Sequence, residues 1–310
     1  MATVNKEMSW KGIAVASFKG ISQVVFIENP ITGMLFLLAI TIASPQLGMI
    51  AWVSSLIAVL IGIVGKADEE LIQRGLLGFS PVLTGMALTL FLTGPYHWVI
   101  ALLGAAVTAL FAAAMMHFMR HAEIPVLTFP FILVSWLTLL ASYQFDVIQL
   151  SPNLVPQDLS RWTLETEGTV SWLQAMLNGL GQVFFLQNPI SAILLYIGLF
   201  CASWRFGVFA FIGNVCAMIV AFALGGAHAL IDAGLYGFNG VLTILAVSVV
   251  FKESSNSLSY LTGIVGACLS VPLTAAITTW LIPYGLPTFT IPFVLCTWLL
   301  LGARKVFPRF

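Results

Sequence analysis

Apolar residues along this chain come in long runs separated by short polar breaks. In the first part the runs fall near 10–28, 31–43, 48–65, 81–93, 97–119 and 124–142. A polar stretch fills about 143–170, and six more runs follow near 171–187, 190–204, 206–227, 240–251, 258–282 and 289–302. A helix needs about 20 apolar residues to cross a hydrocarbon core of roughly 30 Å. The longer runs therefore predict spanning helices, and several shorter ones do not reach across alone. The expectation is an all-α integral membrane protein, with one membrane unit over 1–142, an extramembrane linker over 143–170 and a second unit over 171–310.

The two units repeat each other. Gly20-Ile21-Ser22-Gln23-Val24-Val25-Phe26 matches Gly179-Leu180-Gly181-Gln182-Val183-Phe184-Phe185, and Asn29-Pro30-Ile31 matches Asn188-Pro189-Ile190. Gly75-Leu76-Leu77-Gly78-Phe79 matches Gly234-Leu235-Tyr236-Gly237-Phe238, and Leu83-Thr84 matches Leu242-Thr243, all at an offset of 159. Pro125–Phe131 matches Pro287–Phe293, and Trp136 matches Trp298, at an offset of 162. Repeats in two membrane halves place a solute site between them, near the bilayer midplane.

Composition agrees with the membrane reading. The 310 residues are 60% hydrophobic and 8% charged, with a mean hydropathy of +1.03, against roughly a quarter charged in soluble domains. Twelve Lys+Arg balance twelve Asp+Glu, which gives no reason to expect nucleic acid or an acidic partner. Cys201, Cys216, Cys268 and Cys296 stand far apart in apolar runs and read as small buried hydrophobes. The polar start and the interruptions at Lys11 and Lys19 do not resemble a cleavable leader.

Charge also orients the chain. Lys6 and Lys11 near one end, and Arg304, Lys305 and Arg309 near the other, place both termini in the cytoplasm. The linker sets Asp146, Asp158, Glu165 and Glu167 against Arg161 alone, so it is expected outside. Each half then crosses an odd number of times. Two inverted homologous halves follow, each with about five transmembrane helices plus one half-spanning re-entrant helix. Glu70–Gly78 and Ala229–Gly237 are the candidates for that segment, with glycine permitting the sharp exit. Pro130 and Pro292 lack an N–H and are expected to break a helix, freeing the carbonyls of Val126 and Thr288. Asn29 and Asn188 are expected to cap helix breaks.

The repeated side chains suggest a chemistry. Gln23 and Phe26 are three apart and predicted on one helix face, as are Gln182 and Phe185; Phe79 and Leu83, and Phe238 and Leu242, are four apart. Val183 falls beside Gln182. Each half thus offers an amide, two rings, a leucine and a threonine, Thr128 or Thr290. A small planar solute can slide between rings while its N–H groups meet a row of oxygens. That row offsets the roughly 4–8 kcal/mol cost of an unpaired amide in an apolar phase. Any one of the 23 Phe taken alone would read as core or lipid-facing, and it is the recurrence that singles out four.

At these residues the chain resembles the urea transporter family. The resemblance covers nearly the whole length and rests on residues 20–33 with 181–191, 75–83 with 234–242, and 124–131 with 286–293. It implies passive passage of urea through one pore in each protomer of a homotrimer, with no cofactor, in a plasma (bacterial inner) membrane. It implies that Phe26, Phe79, Leu83 and Gln23 form one slot, and Phe185, Phe238, Leu242 and Gln182 the other. Thr128 and Thr290 narrow the middle. Ser80 departs from the family's usual Asn, which stands at Asn239.

Other classes fit less well. A water or glycerol channel would carry Ala after each Asn-Pro, where this chain has Ile31 and Ile190, and would carry an Arg at its constriction. An ammonia channel would align His residues, and the repeats hold none. An ion-coupled transporter would pair carboxylates inside the membrane, and an enzyme would need a nucleophile–base pair or a metal cluster. The repeated motifs contain neither.

Overall fold

A computed structural model describes residues 8–161, 163, 164, 166, 168–253 and 255–309. Lys6, Glu165 and Glu167, used above to orient the chain, lie outside the described residues. The helices are α1 Trp10–Ser22, α2 Pro30–Ala43, α3 Pro45–Val64, α4 Glu69–Gln73, α5 Phe79–Phe91, α6 His97–Met119 and α7 Phe129–Ala141. After the linker come α8 Trp172–Gly181, α9 Pro189–Ala202, α10 Trp204–Ala223, α11 His228–Asp232, α12 Gly237–Leu245, α13 Ser259–Leu281 and α14 Ile291–Arg304. One two-residue strand pair, β1 Leu92–Thr93 with β2 Gln149–Leu150, ties the linker to the end of α5. Four of these helices, α3, α6, α10 and α13, are long and apolar enough to cross a membrane. They coincide with the runs at 48–65, 97–119, 206–227 and 258–282. Their outer faces expose large apolar side chains such as Leu103, Val107, Leu110, Phe211 and Ile219, as a lipid-facing surface requires.

Two sharp corners organise the rest. The α1–α2 pair bends by 76° and the α8–α9 pair by 74°. α1 ends in a 3₁₀ turn, Gln23–Val25, and Phe26 then adopts left-handed backbone at φ 66°. Phe185 does the same at φ 59° after Gln182–Phe184. The new helices start on Asn-Pro. The Asn29 side chain accepts from the Ile31 N–H at 2.9 Å and the Asn188 side chain from the Ser191 N–H at 3.1 Å, and proline fits a first turn because its missing N–H is not needed there. The asparagines therefore cap, as expected. The shared helix face expected for Gln23 and Phe26 does not form. The chain has to leave α1 before Asn29, and Phe26 is the residue on which it turns.

α5 runs for 13 residues, about 20 Å at 1.5 Å per residue, too short to cross. The helix ahead of it, α4, has five residues, and α11 has five as well; the half-length helices expected over Glu70–Gly78 and Ala229–Gly237 are instead short turns leading into α5 and α12. Gly75 at φ 72° and Gly234 at φ 76° make those turns. Gly78 serves closeness: a Cβ there would sit 2.9 Å from the Gly20 Cα. Pro130 and Pro292 lie in the first turns of α7 and α14, so they start helices and do not break them. The Val126 carbonyl accepts from the Phe129 N–H at 3.4 Å.

One apolar core joins residues from both ends of the sequence, with Phe36, Phe131, Phe184 and Phe293 fully buried in it. Polar bonds cross it. The Thr32 hydroxyl donates to the Gly198 carbonyl at 3.3 Å and the Ser191 hydroxyl to the Ala39 carbonyl at 2.7 Å. Trp136 Nε1 donates to the Pro287 carbonyl at 2.9 Å and Trp298 Nε1 to the Pro125 carbonyl at 2.8 Å. These two indoles act as internal cross-links.

Candidate functional site

Two of the cavities among the described residues are walled by the repeated side chains and border the core. The first measures about 530 Å³, is open on one side, and is lined by Gln23, Phe26 and Phe79 together with residues 124–127 and Phe251. The second encloses about 210 Å³ and is lined by Gln182, Phe185 and Phe238 together with 286–289 and Phe91. A cavity needs about 10–15 Å³ to hold one water, so either one admits a small solute.

The glutamines are set the same way in both. Gln23 Nε2 donates to the Arg74 carbonyl at 3.0 Å, and Gln182 Nε2 donates to the Ala233 carbonyl at 3.0 Å. A carbonyl only accepts, so each contact fixes the amide's orientation. Among the described residues nothing donates to either Oε1, which leaves one acceptor on each cavity's wall. Those carbonyls belong to the turns before α5 and α12, so the glycine turns described above position the amides.

A threonine pair joins the two linings. Leu127 lines the first cavity and Phe289 the second. The residues that follow them, Thr128 and Thr290, are 1% and 4% exposed and meet through their hydroxyls at 2.7 Å. Both sit at the N-caps of α7 and α14 without capping side-chain bonds, because each hydroxyl is committed to the other. The backbone is strained here. Of six non-glycine residues with positive φ among those described, five line a cavity: Phe26, Glu123, Leu127, Phe185 and Phe289. Such conformations cost on the order of 1–3 kcal/mol each and persist where surrounding structure imposes them, often at functional sites.

Charge is distributed unevenly. Glu28, Arg74, Arg120 and Glu123 stand on the rim of the first cavity. Glu28 bonds Lys19 at 2.9 Å and Arg74 at 3.0 Å, and Lys305 pairs with Glu123 at 3.2 Å. The lining of the second cavity carries no carboxylate, lysine or arginine. No cluster of three metal-ligating side chains occurs among the described residues.

Of the eleven residues singled out by sequence, Gln23, Phe26 and Phe79 thus share one cavity, Gln182, Phe185 and Phe238 share the other, and Thr128 meets Thr290. Leu83, Leu242 and Val183 are each 1% exposed and line neither cavity; they pack in the core behind the rings. Ser80 and Asn239 also part company. Asn239 Oδ1 accepts from the Phe293 N–H at 3.2 Å and its Nδ2 reaches Thr274 Oγ and the Phe289 carbonyl at 3.4 Å, whereas the buried Ser80 hydroxyl has no partner. Sequence reasoning missed Phe91 and Phe251. Phe91 stacks edge-on against Phe185 at 6.0 Å, and Phe251 edge-on against Phe26 at 6.0 Å. Their separation in sequence is 160, one more than the repeat, so a search at a fixed offset passes over them.

A family model described as urea transporter matches residues 14–305. Among curated proteins, the chain is 28% identical over 294 residues to urea transporter 1 of Ovis aries, covering 91% of this chain and 75% of that one. Urea transporter 1 of Rattus norvegicus is 26% identical over 288 residues with the same coverage.

Proposed function

The chain belongs to the urea transporter family, and from that premise we propose that it is a passive, selective urea channel whose path runs from one cavity to the other through the Thr128–Thr290 neck. The observation that carries this reading is the matched equipment on both sides of the neck: a free amide oxygen and a pair of rings in each cavity, joined by two neutral hydroxyls.

The path suits a flat amide. Urea presents planar faces to Phe26 and Phe79, then to Phe185 and Phe238, and N–H groups to Gln23 Oε1, the two hydroxyls and Gln182 Oε1. An amide stripped of partners costs roughly 4–8 kcal/mol to move into an apolar phase. Each protein acceptor replaces a water, and such an exchange is close to balanced, with a net of about 1 kcal/mol per bond. The solute is therefore neither rejected nor trapped. Opening the Thr–Thr contact costs one bond of that same size and returns two partners to the solute. No ionisable group stands in the neck, which disfavours ions.

Two inverted halves, 1–142 and 171–310 joined by the linker 143–170, are supported by reciprocal contacts. Thr32 and Ala39 meet Gly198 and Ser191 in that order. Their sequence equivalents are Ser191 and Gly198, so α2 and α9 run antiparallel across a local two-fold. The Trp136 and Trp298 bonds exchange in the same way, and self-complementary contact is the mark of two-fold pairing. Lys19 and Lys305 both reach the rim of the first cavity through Glu28 and Glu123, which favours both termini and that cavity on the cytoplasmic face of a plasma (bacterial inner) membrane. The remaining role assigned to Leu83, Leu242 and Val183 is to back the rings. A homotrimer with one path per protomer follows from the family resemblance, and native mass measurement tests it.

Stopped-flow light scattering on proteoliposomes tests the function. Urea is expected to enter without a proton or sodium gradient, with glycerol and methylammonium excluded. Coupling to either ion would overturn the channel reading.

A further inference from the structure

Phe91 and Phe251 are foreign to the cavities they line. The first cavity is otherwise built mainly from residues 23–127, yet Phe251 reaches it from beyond α12; the second is otherwise built from residues 182–289, yet Phe91 reaches it from the end of α5. Both rings are half-buried and each stands edge-on to a ring already placed on the path. The repeat offset alone would put Val250, not Phe251, opposite Phe91. A π turn over Ala246–Val250, closed by the Phe251 N–H on the Ala246 carbonyl at 2.9 Å, inserts the extra residue. Such single-turn bulges recur at functional sites, and this one restores a phenyl ring to the cavity wall.

Each ring has its own anchor. The Ser151 N–H bonds the Phe91 carbonyl at 2.9 Å, next to the β1–β2 pair. On the other side the anchor is a side chain. Arg304 is 8% exposed; its Nη1 donates to the Phe251 carbonyl at 2.7 Å and its Nη2 to the Val247 carbonyl at 2.7 Å and to Ser259 Oγ at 3.2 Å. No carboxylate forms an ion pair with it among the described residues, and its Nε is buried without a partner. A guanidinium held this way opposes stability, and what it grips is the π turn and the ring beyond.

We propose that Phe91 and Phe251 set the width limit of the path as a third aromatic wall in each cavity, and that Arg304 is the positioning residue for Phe251. The inference rests on the channel reading. Its test measures proteoliposome fluxes of urea, N,N′-dimethylurea and N,N′-diethylurea. Phe251→Ala and Phe91→Ala are expected to raise the flux of the largest analogues relative to urea by about tenfold, the low end of what one methylene commands in an apolar site. Arg304→Gln is expected to move the ratio in the same direction, Arg304→Lys to recover part of the wild-type ratio, and Arg304→Gln to add nothing in a Phe251→Ala background. If Arg304→Gln does not fold, Ser259→Ala, which removes one guanidinium contact, should give a smaller shift of the same sign. Unchanged ratios in Phe251→Ala, Phe91→Ala and the double variant would overturn the wall. A uniform loss of all fluxes in Arg304→Gln, with ratios kept, would overturn the positioning role. Wild-type protein that fails to conduct urea would sink the channel reading instead, and the inference with it.

Discussion

Replacing Thr128 by valine exchanges a hydroxyl for a methyl of similar volume, so the neck keeps its shape and loses one polar atom. In the resting protein the change removes the 2.7 Å bond to Thr290 and strands a hydroxyl that is 4% exposed. An orphaned buried donor costs about 1–3 kcal/mol, so a modest loss of stability is expected. For urea in the neck the change removes one of two hydroxyl partners. At about 1–1.5 kcal/mol per bond, and with 1.36 kcal/mol equal to tenfold in rate, that partner alone is worth about fivefold to tenfold in urea flux. Most of this is returned, because the Thr–Thr bond, of about the same size, no longer has to open, and the single variant stays within about twofold of wild type. The double variant Thr128→Val/Thr290→Val loses both partners and saves the same one bond, a net loss of about one bond, and flux falls by about fivefold to tenfold. The two losses are non-additive because the residues share a bond. Stopped-flow shrinkage and swelling of proteoliposomes, normalised to folded protein per vesicle, gives the rates. Flux equal to wild type in the double variant would refute the reasoning, since urea would then be passing somewhere other than between these hydroxyls.

Other expectations follow from packing. Gly33→Ala places a methyl on the Phe18 carbonyl, where neither backbone can yield, and should abolish the α1–α2 corner; folded yield by size exclusion in detergent reads it, and near-wild-type yield would contradict the clash. Ser191→Ala removes the bond to the Ala39 carbonyl and should lower unfolding stability in mixed micelles by about 0.6 kcal/mol, the average for interhelical bonds in membranes, with urea flux retained. Ser80→Asn offers the amide that Asn239 uses in its own setting and relieves a buried hydroxyl without a partner; a gain of about 1 kcal/mol is expected as a raised thermal midpoint, and a lowered midpoint would mean that the pocket around Ser80 has no room.

Much of the arrangement is legible in the sequence because the membrane makes the helical signal strong. The runs at 48–65 and 258–282 become α3 and α13 nearly as read, and the glutamines and four phenylalanines found by recurrence line two cavities, while the two threonines bond each other. What escapes is backbone set by tertiary contact. Nothing in a phenylalanine announces left-handed geometry, yet Phe26 and Phe185 adopt it because Asn-Pro starts a new helix a few residues on. Proline at 130 and 292 reads equally well as a break or as a first turn, and only the turns before it, with Leu127 and Phe289 at positive φ, decide. Trp136 and Trp298 recur at the offset of 162, but the carbonyls they bond across the core show only in the fold. Phe251 is hidden by one inserted residue, and Leu83, Leu242 and Val183 point into packing that periodicity does not distinguish from a cavity wall.

Diffraction from crystals soaked in selenourea, with the selenium located by its anomalous signal, puts the path itself to the test. Two sites are expected in each protomer, one beside Gln23, Phe26 and Phe79 and one beside Gln182, Phe185 and Phe238, with the Thr128–Thr290 pair between them. Selenium bound only outside these cavities, in a protein that still conducts urea, would contradict the account.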